Sequence, residues 1–440
     1  MKNIIGTMKK NNGMVLWSLI GIILLASLPL LTNYSTYGTE LAFHLNRIET
    51  MKSALSQGGF IVKEGSLYLL LPALFGMLGM PVQTSCKLFL FLVIVGTVIL
   101  SYVSFAKIFQ DRVIGILGCL LYNWAPYHFS ILYCSASLGE SVAYAFLPLV
   151  LWGLYDIYVS EDRAKIANRT WIVLAMGYTG MVQANVLSFL VAVAFTLLVC
   201  VIRWKKTCKV QTLLAFGKVV LCFGIVNSWY LLALFKGIRA GLGSAHFYVG
   251  GMIQEKGVYL AHYLLPFFFG GHSQSFQESG MIDSAPLGIG FALTVSVLGY
   301  LWMLFTGKTK ENGKNDVMKF AGTMAVIGGI VLFMSTNSFP WDFLRVYNGL
   351  FAFLTNLLQA PAKLMTLVIV AATFVACAVA THWKMRAKKY FNCVVAIIIG
   401  ISIITSQYLV GDIISSNERM DIISVEQIPV LENVGTEYLP

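Results

Sequence analysis

Cys86 to Ala106 reads CKLFLFLVIVGTVILSYVSFA, with one charged side chain, Lys87, in its first turn and none after it. About 20 such residues, wound as a helix, cross the hydrocarbon core of a bilayer. The segment is therefore a full membrane span, and it ends at Lys107 and Arg112. Its character is that of the whole chain, which is 58% hydrophobic and only 12% charged, where a soluble domain carries about 25% charged residues. Mean hydropathy is +0.76. A polytopic, all-α membrane protein is predicted, and no water-soluble fold competes.

The net charge of +11 would point to nucleic acid in a soluble protein. Here the bases lie in short loops between apolar runs, where they act as topology signals, so no nucleic-acid partner is expected. The eight cysteines lie mostly inside spans and form no CxxC pair. Neither a disulfide framework nor a zinc site follows.

Working outward from the first clear span sets the topology. Residues 1–13, with Lys2, Lys9 and Lys10, form a cytoplasmic N-terminus, and Met14 to about Leu31 is the first crossing. An external first loop, 34–85, includes Ser66–Met80, which is too short to cross and reads as re-entrant or interfacial. Val113 to about Tyr133 returns outward, broken by Pro126, and Ser141–Tyr158 goes back in. Trp171–Ile202 is cut by the polar knot Gln183-Ala184-Asn185 into a tight pair of spans. Thr212–Phe235 exits to an external loop, 236–285. Pro286–Phe305, Phe320–Met334, Leu364–Ala380 and Phe391–Leu409 complete about 11 transmembrane helices. The multi-pass domain thus occupies 14–409, and 410–440 is an external tail. With the N-terminus inside and the C-terminus outside, about 20 of the 31 Lys and Arg fall in cytoplasmic loops. No internal repeat supports an inverted-repeat transporter.

The polar residues that the membrane does not explain gather outside. Gly38 to Gln57, GTELAFHLNRIETMKSALSQ, is a juxtamembrane helix on which Glu40, His44 and Arg47 share a stripe at i, i+4, i+7. The water-facing side is the one with Glu49, so the stripe turns toward protein or lipid headgroups. Burying acid, imidazole and guanidinium together is costly unless they act. The plain alternative is that Thr39 caps the helix and Glu40 complements its dipole. Glu140 opens a span after Leu138-Gly139, where an acid commonly caps. Asp342 and Arg345 lie in a short external loop. Lys363 starts a span, either as a snorkelling anchor or as a phosphate ligand. His246, His262 and His272 lack metal-helix spacing, so no metal-ligand set is assigned, although a divalent metal stays open as a cofactor. No Walker A loop, GxSxG elbow or Rossmann fingerprint occurs. An acid and bases on the outer rim suit group transfer from a lipid-phosphate donor, with a carboxylate as base and cations on the departing phosphate.

The order of Gly38-Thr39-Glu40-Leu41-Ala42-Phe43-His44-Leu45-Asn46-Arg47-Ile48, Leu138-Gly139-Glu140 before Phe146-Leu147-Pro148-Leu149, Gly180-Met181-Val182-Gln183, Phe339-Pro340-Trp341-Asp342 and Gln359-Ala360-Pro361-Ala362-Lys363 carries a likeness. It resembles the C-superfamily (GT-C) glycosyltransferases. More narrowly, it resembles the bacterial membrane proteins with a 6-pyruvoyl-tetrahydropterin-synthase-related domain. The resemblance implies a sugar moved from a polyprenyl-phosphate-linked donor to an envelope glycan acceptor at the cell membrane. Glu40 would be the base or metal-binding acid, Arg47 and Lys363 would face donor phosphate, and His44 would brace the first loop. The chain also departs from the pattern. Glu40 stands where relatives have Asp, and Tyr133-Cys134-Ser135-Ala136 lacks an Arg. The stretch from Phe60 to Leu67 is shortened, Ala362-Lys363 replaces an aromatic and Arg, and Glu437 to Pro440 resembles the opening of an external domain. The alternative expectation is therefore a catalytically degenerate membrane scaffold, or a lipid-linked-sugar handling protein without transfer.

Overall fold

The computed structural model describes residues 2–31, 40–60, 66–159, 170–239, 252–259, 287–306, 316–386 and 388–416. Thr39, the three loop histidines, the loop with Arg163, Lys165 and Arg169, and the tail beyond 416 lie outside the described residues. So does most of the stretch between Phe60 and Leu67.

Among the described residues the chain is all-helical, with no strand. The helices are α1 (Lys2–Ala26), α2 (Leu41–Ser56), α3 (Ser66–Met77), α4 (Val82–Phe109), α5 (Arg112–Asn123) and α6 (Leu138–Val159). They continue with α7 (Trp171–Ala184), α8 (Val186–Ile202), α9 (Val210–Val226), α10 (Ser228–Arg239), α11 (Phe291–Phe305) and α12 (Asp316–Ser335). The last are α13 (Trp341–Tyr347), α14 (Gly349–Leu358), α15 (Met365–Arg386) and α16 (Lys388–Ser416). Among the described residues, five stretches can cross a membrane by length and composition: Val82–Phe109, Leu138–Val159, Asp316–Ser335, Pro361–Arg386 and Phe391–Gly411. A sixth is the pair α9 and α10, bent by 69° at Asn227. Shorter apolar helices occupy the positions of the other expected crossings.

Local chemistry explains where the helices stop. Asp111 caps α5, accepting from the Val113 and Ile114 N–H groups, and Asn185 caps α8 through the Ser188 N–H. The polar knot is thus a true break, because Asn185 takes an extended backbone that neither helix can share. Pro126 breaks the 113–133 run as its missing N–H requires. α5 ends at Asn123, a single turn spans Pro126–Phe129, and a wider π turn spans Ser130–Cys134.

α6 and α15 form the centre, with α4, α5, α7 and α12 packed around them. The α6–α7 contact is the tightest and depends on glycine. A Cβ on Gly153 would lie 2.7 Å from the Leu174 backbone nitrogen, and one on Gly180 would lie 2.3 Å from the Phe146 ring. Small residues let the backbones approach, as they do between helices that have lipid for a solvent.

The bundle has two chemically different ends. At one, Lys384 clasps Asp111, Lys206 lies 3.9 Å from Asp316, and Arg203 Nε donates to Thr323 Oγ1 at 2.7 Å. Burial alone would raise the Asp111 carboxyl, but Lys384 and the two capping amides bring it below its ordinary range. At the other end lie α2, the start of α6, the α7–α8 break and the start of α15. Ser335, closing α12, donates there to Met365 Sδ at the head of α15.

Candidate functional site

The site is built where α2 meets the turn before α6. Glu40 occupies the N-cap of α2, but its side chain makes no capping hydrogen bond. Thr39 was one expected cap; Glu40 itself holds that position, and its carboxylate turns elsewhere. The Glu40 N–H donates to Ser135 O at 2.9 Å, which docks the helix start on the 135–137 turn. Ala136 holds φ +51° there, a left-handed corner that lets the chain reverse into α6.

His44, one turn on, is 3% exposed. Its Nε2 lies 3.5 Å from Glu40 Oε2 and 3.3 Å from the Leu138 N–H, which points at it. One ring nitrogen thus serves two partners. Unprotonated, it accepts from Leu138; protonated, it donates to Glu40. Ser137 completes the set by hydrogen-bonding the Glu40 carboxylate. Burial alone would raise the Glu40 carboxyl. The His44 hydrogen bond, the Lys363 charge and Ser137 outweigh it and lower the group from 4.5 to about 2.

Glu140 stands two residues beyond Leu138 and is buried, and Tyr127 O–H donates to its Oε1 at 3.0 Å. Lys363 acts electrostatically on both carboxylates. Its Nζ donates to Gln359 Oε1 at 3.3 Å. Glu140, Lys363, Asn185, Ser188 and Thr366 line a partly open pocket with Leu187 and Val191. The space is that of about one water molecule.

Of the residues expected from sequence, Glu40, His44, Glu140 and Lys363 are brought together from three distant parts of the chain. The Arg47 guanidinium lies over the Phe43 ring of its own helix at 5.2 Å. Asp342 and Arg345 form a neighbouring knot. Asp342 accepts from the Ile253 and Gln254 N–H groups at 3.1 and 2.9 Å, and Arg345 Nη1 lies 3.7 Å from it. Gln254–Lys256 in turn packs against Pro361–Leu364, the turn that carries Lys363. These two residues therefore position the lysine rather than line the pocket. The inward stripe is only partly inward. His44 is buried, whereas the Glu40 side chain is 42% exposed, because the cap position lies beyond the helix proper. Glu49 pairs with Lys52 at 2.9 Å on the opposite, polar side.

Sequence reading missed Tyr127, Ser137, Ser188 and Thr366. Asn185 and Pro126 marked the breaks beside Ser188 and Tyr127, but nothing local tells which polar residue at a break faces an acid. Among the described residues no three His, Cys, Asp or Glu side chains stand where they could hold a metal. Glu40 and His44 offer one pair.

The Glu40 assignment has a direct check. Its folded value is depressed, so the stabilisation it lends is full above the ordinary carboxylate range and is lost as pH falls through about 2. A difference infrared titration, wild type minus Glu40→Gln, is expected to show an ionised carboxylate down to about pH 4. In Lys363→Met the same band should titrate at higher pH. Compared with known proteins, the chain matches no family model and no curated sequence.

Proposed function

We propose that this is a membrane enzyme of glycosyltransferase type. It takes a sugar from a polyprenyl-phosphate-linked donor and gives it to an extracytoplasmic acceptor. The observation that carries the reading is the meeting of Glu40, His44, Glu140 and Lys363 at the end of the bundle opposite its Lys384–Asp111 clasp. The Lys363 ammonium lines a small pocket there with Glu140 and also acts on the ionised Glu40 carboxylate, and such a cation suits a lipid phosphate.

Eleven crossings fit this reading. They are the five long helices, the bent α9–α10 pair counted once, and the shorter Gly13–Ala26, Arg112–Asn123, Trp171–Ala184, Val186–Ile202 and Phe291–Phe305. α3, with 12 residues and Pro72 inside it, stays at the surface. The N-terminus is then cytoplasmic, and Glu40 faces the outside.

In the reaction the acceptor oxygen bonds to the anomeric carbon while the bond from that carbon to the phosphate oxygen breaks. The electron pair leaves with the polyprenyl phosphate, beside the Lys363 ammonium, and the hydroxyl proton passes to Glu40. A carboxylate held near 2 is a weak base. It serves by aligning the hydroxyl and taking the proton late, once the oxygen has become strongly acidic.

One observation favours a second reading, a scaffold or lipid-linked-sugar binder without transfer: the pocket has room for a water molecule and not for a sugar. The transferase and the lipid-linked-sugar binder both keep a phosphate ligand, and a scaffold does not. Polyprenyl phosphate binding to the chain in vesicles is therefore the first test. Removing the cation in Lys363→Met is expected to weaken binding by about 10–100-fold, the value of a hydrogen bond to a charged group. Unchanged affinity would remove the phosphate role from Lys363.

A further inference from the structure

The chain between α12 and α15 forms two short helices whose outer face is apolar. On α13, Phe343, Val346 and Tyr347 share one face at i, i+3, i+4 and are 62%, 75% and 76% exposed. On α14, Leu350 and Phe353, at i and i+3, are 63% and 62% exposed. The protein side of α13 is the polar one. Asp342 holds the 253–254 backbone, and Arg345 pairs with Asp342. A water-facing helix has the reverse arrangement.

The position of the pair says what covers this face. Both flanking spans end here, with Ser335 of α12 bonded to Met365 of α15. Trp341 is buried, and its Nε1–H donates to Met334 O at 2.7 Å, which pins α13 to the last turn of α12. α12 carries an exposed apolar stripe, Val326, Ile330 and Phe333, that reaches its last turn. The Phe333 ring meets Phe339 at 5.5 Å, and Phe339 meets Trp341 at 4.7 Å. Phe343, Val346 and Tyr347 thus stand exposed on a helix fixed at the end of the exposed apolar stripe of α12. Helices of 7 and 10 residues cannot cross. Aromatic side chains, including a tyrosine, suit the boundary between acyl chains and headgroups.

We infer that α13 and α14 lie in the plane of the bilayer interface, with Phe343, Val346, Tyr347, Leu350 and Phe353 inserted among the lipids of the leaflet on the Glu40 side. The pair is a membrane anchor that fixes the depth of the Pro361–Leu364 turn, and with it Lys363. This rests on the chain being a membrane protein and is independent of any transfer reaction.

The test uses the full chain in phosphatidylcholine vesicles. It compares carbene labelling from a diazirine placed high on a lipid acyl chain with labelling from a water-soluble diazirine, read by mass spectrometry of peptides covering 326–358. The expected result is severalfold more lipid-derived than aqueous label on Tyr347 and Leu350, at a level close to that of Phe333 on α12. Aqueous label in excess would place the face in water and overturn the proposal. Protection from both reagents, with Phe333 still labelled by lipid, would show a protein covering, from another part of this chain or a second copy, and would overturn it equally.

Discussion

Glu40→Gln is expected to lower sugar transfer by about 10²–10⁴-fold, the range lost when a positioned proton acceptor is removed, while the protein still inserts and folds. The amide is nearly isosteric and can still meet Ser137, but it carries no charge for His44 and Lys363 to hold. Folding should survive because the side chain is 42% exposed, and ionic contacts at exposed sites contribute about 0–1 kcal/mol. The loss should fall on the rate and not on donor affinity, since the cation nearest the phosphate in this scheme is Lys363. Lost affinity with an unchanged rate would reverse the two assignments. Equal activity would end the role of Glu40 as the base.

Gly153→Val is expected to have the largest effect on stability. The first atom added at Gly153 would already press on the backbone of Leu174 at 2.7 Å, and a backbone cannot step aside as a side chain can. Overpacking in a filled interior costs about 1–3 kcal/mol. Here the strain falls on the α6–α7 contact, which holds Glu140 and Asn185 in place. Thermal unfolding of the detergent-solubilised protein should show a clear drop in midpoint. Gly96→Val is the control, because a Cβ there meets no atom within 4 Å. Equal behaviour of the two variants would mean that the α6–α7 approach is not rigid.

The helical layout was legible because it depends on local signals. Apolar runs near span length, Pro126 and the Gln183-Ala184-Asn185 knot each act on the few residues around them, and the helices break there. α13 and α14 were not legible. A span of apolar residues announces itself by length, but helices of 7 and 10 residues fall below what a hydropathy window resolves, and their polar residues face protein, contrary to the soluble pattern. The site was half legible. Glu40 and His44 declare each other by i, i+4 spacing, whereas Leu138 on His44 and Lys363 beside Glu140 join positions about a hundred residues or more apart. Spacing also turned Glu40 inward with His44, whereas its side chain is 42% exposed. A helix stripe fixes direction only for residues inside the helix, and Glu40 sits at its cap.

Whether the bound donor is cleaved is the most direct measurement. Wild-type protein in vesicles, given polyprenyl-phosphate-linked sugars on the face that carries Glu40, should release free polyprenyl phosphate in step with acceptor glycosylation, and Glu40→Gln should bind the donor and release none. Donor bound by both proteins and cleaved by neither, across the sugars tried, would contradict a transferase and leave a lipid-phosphate binding protein.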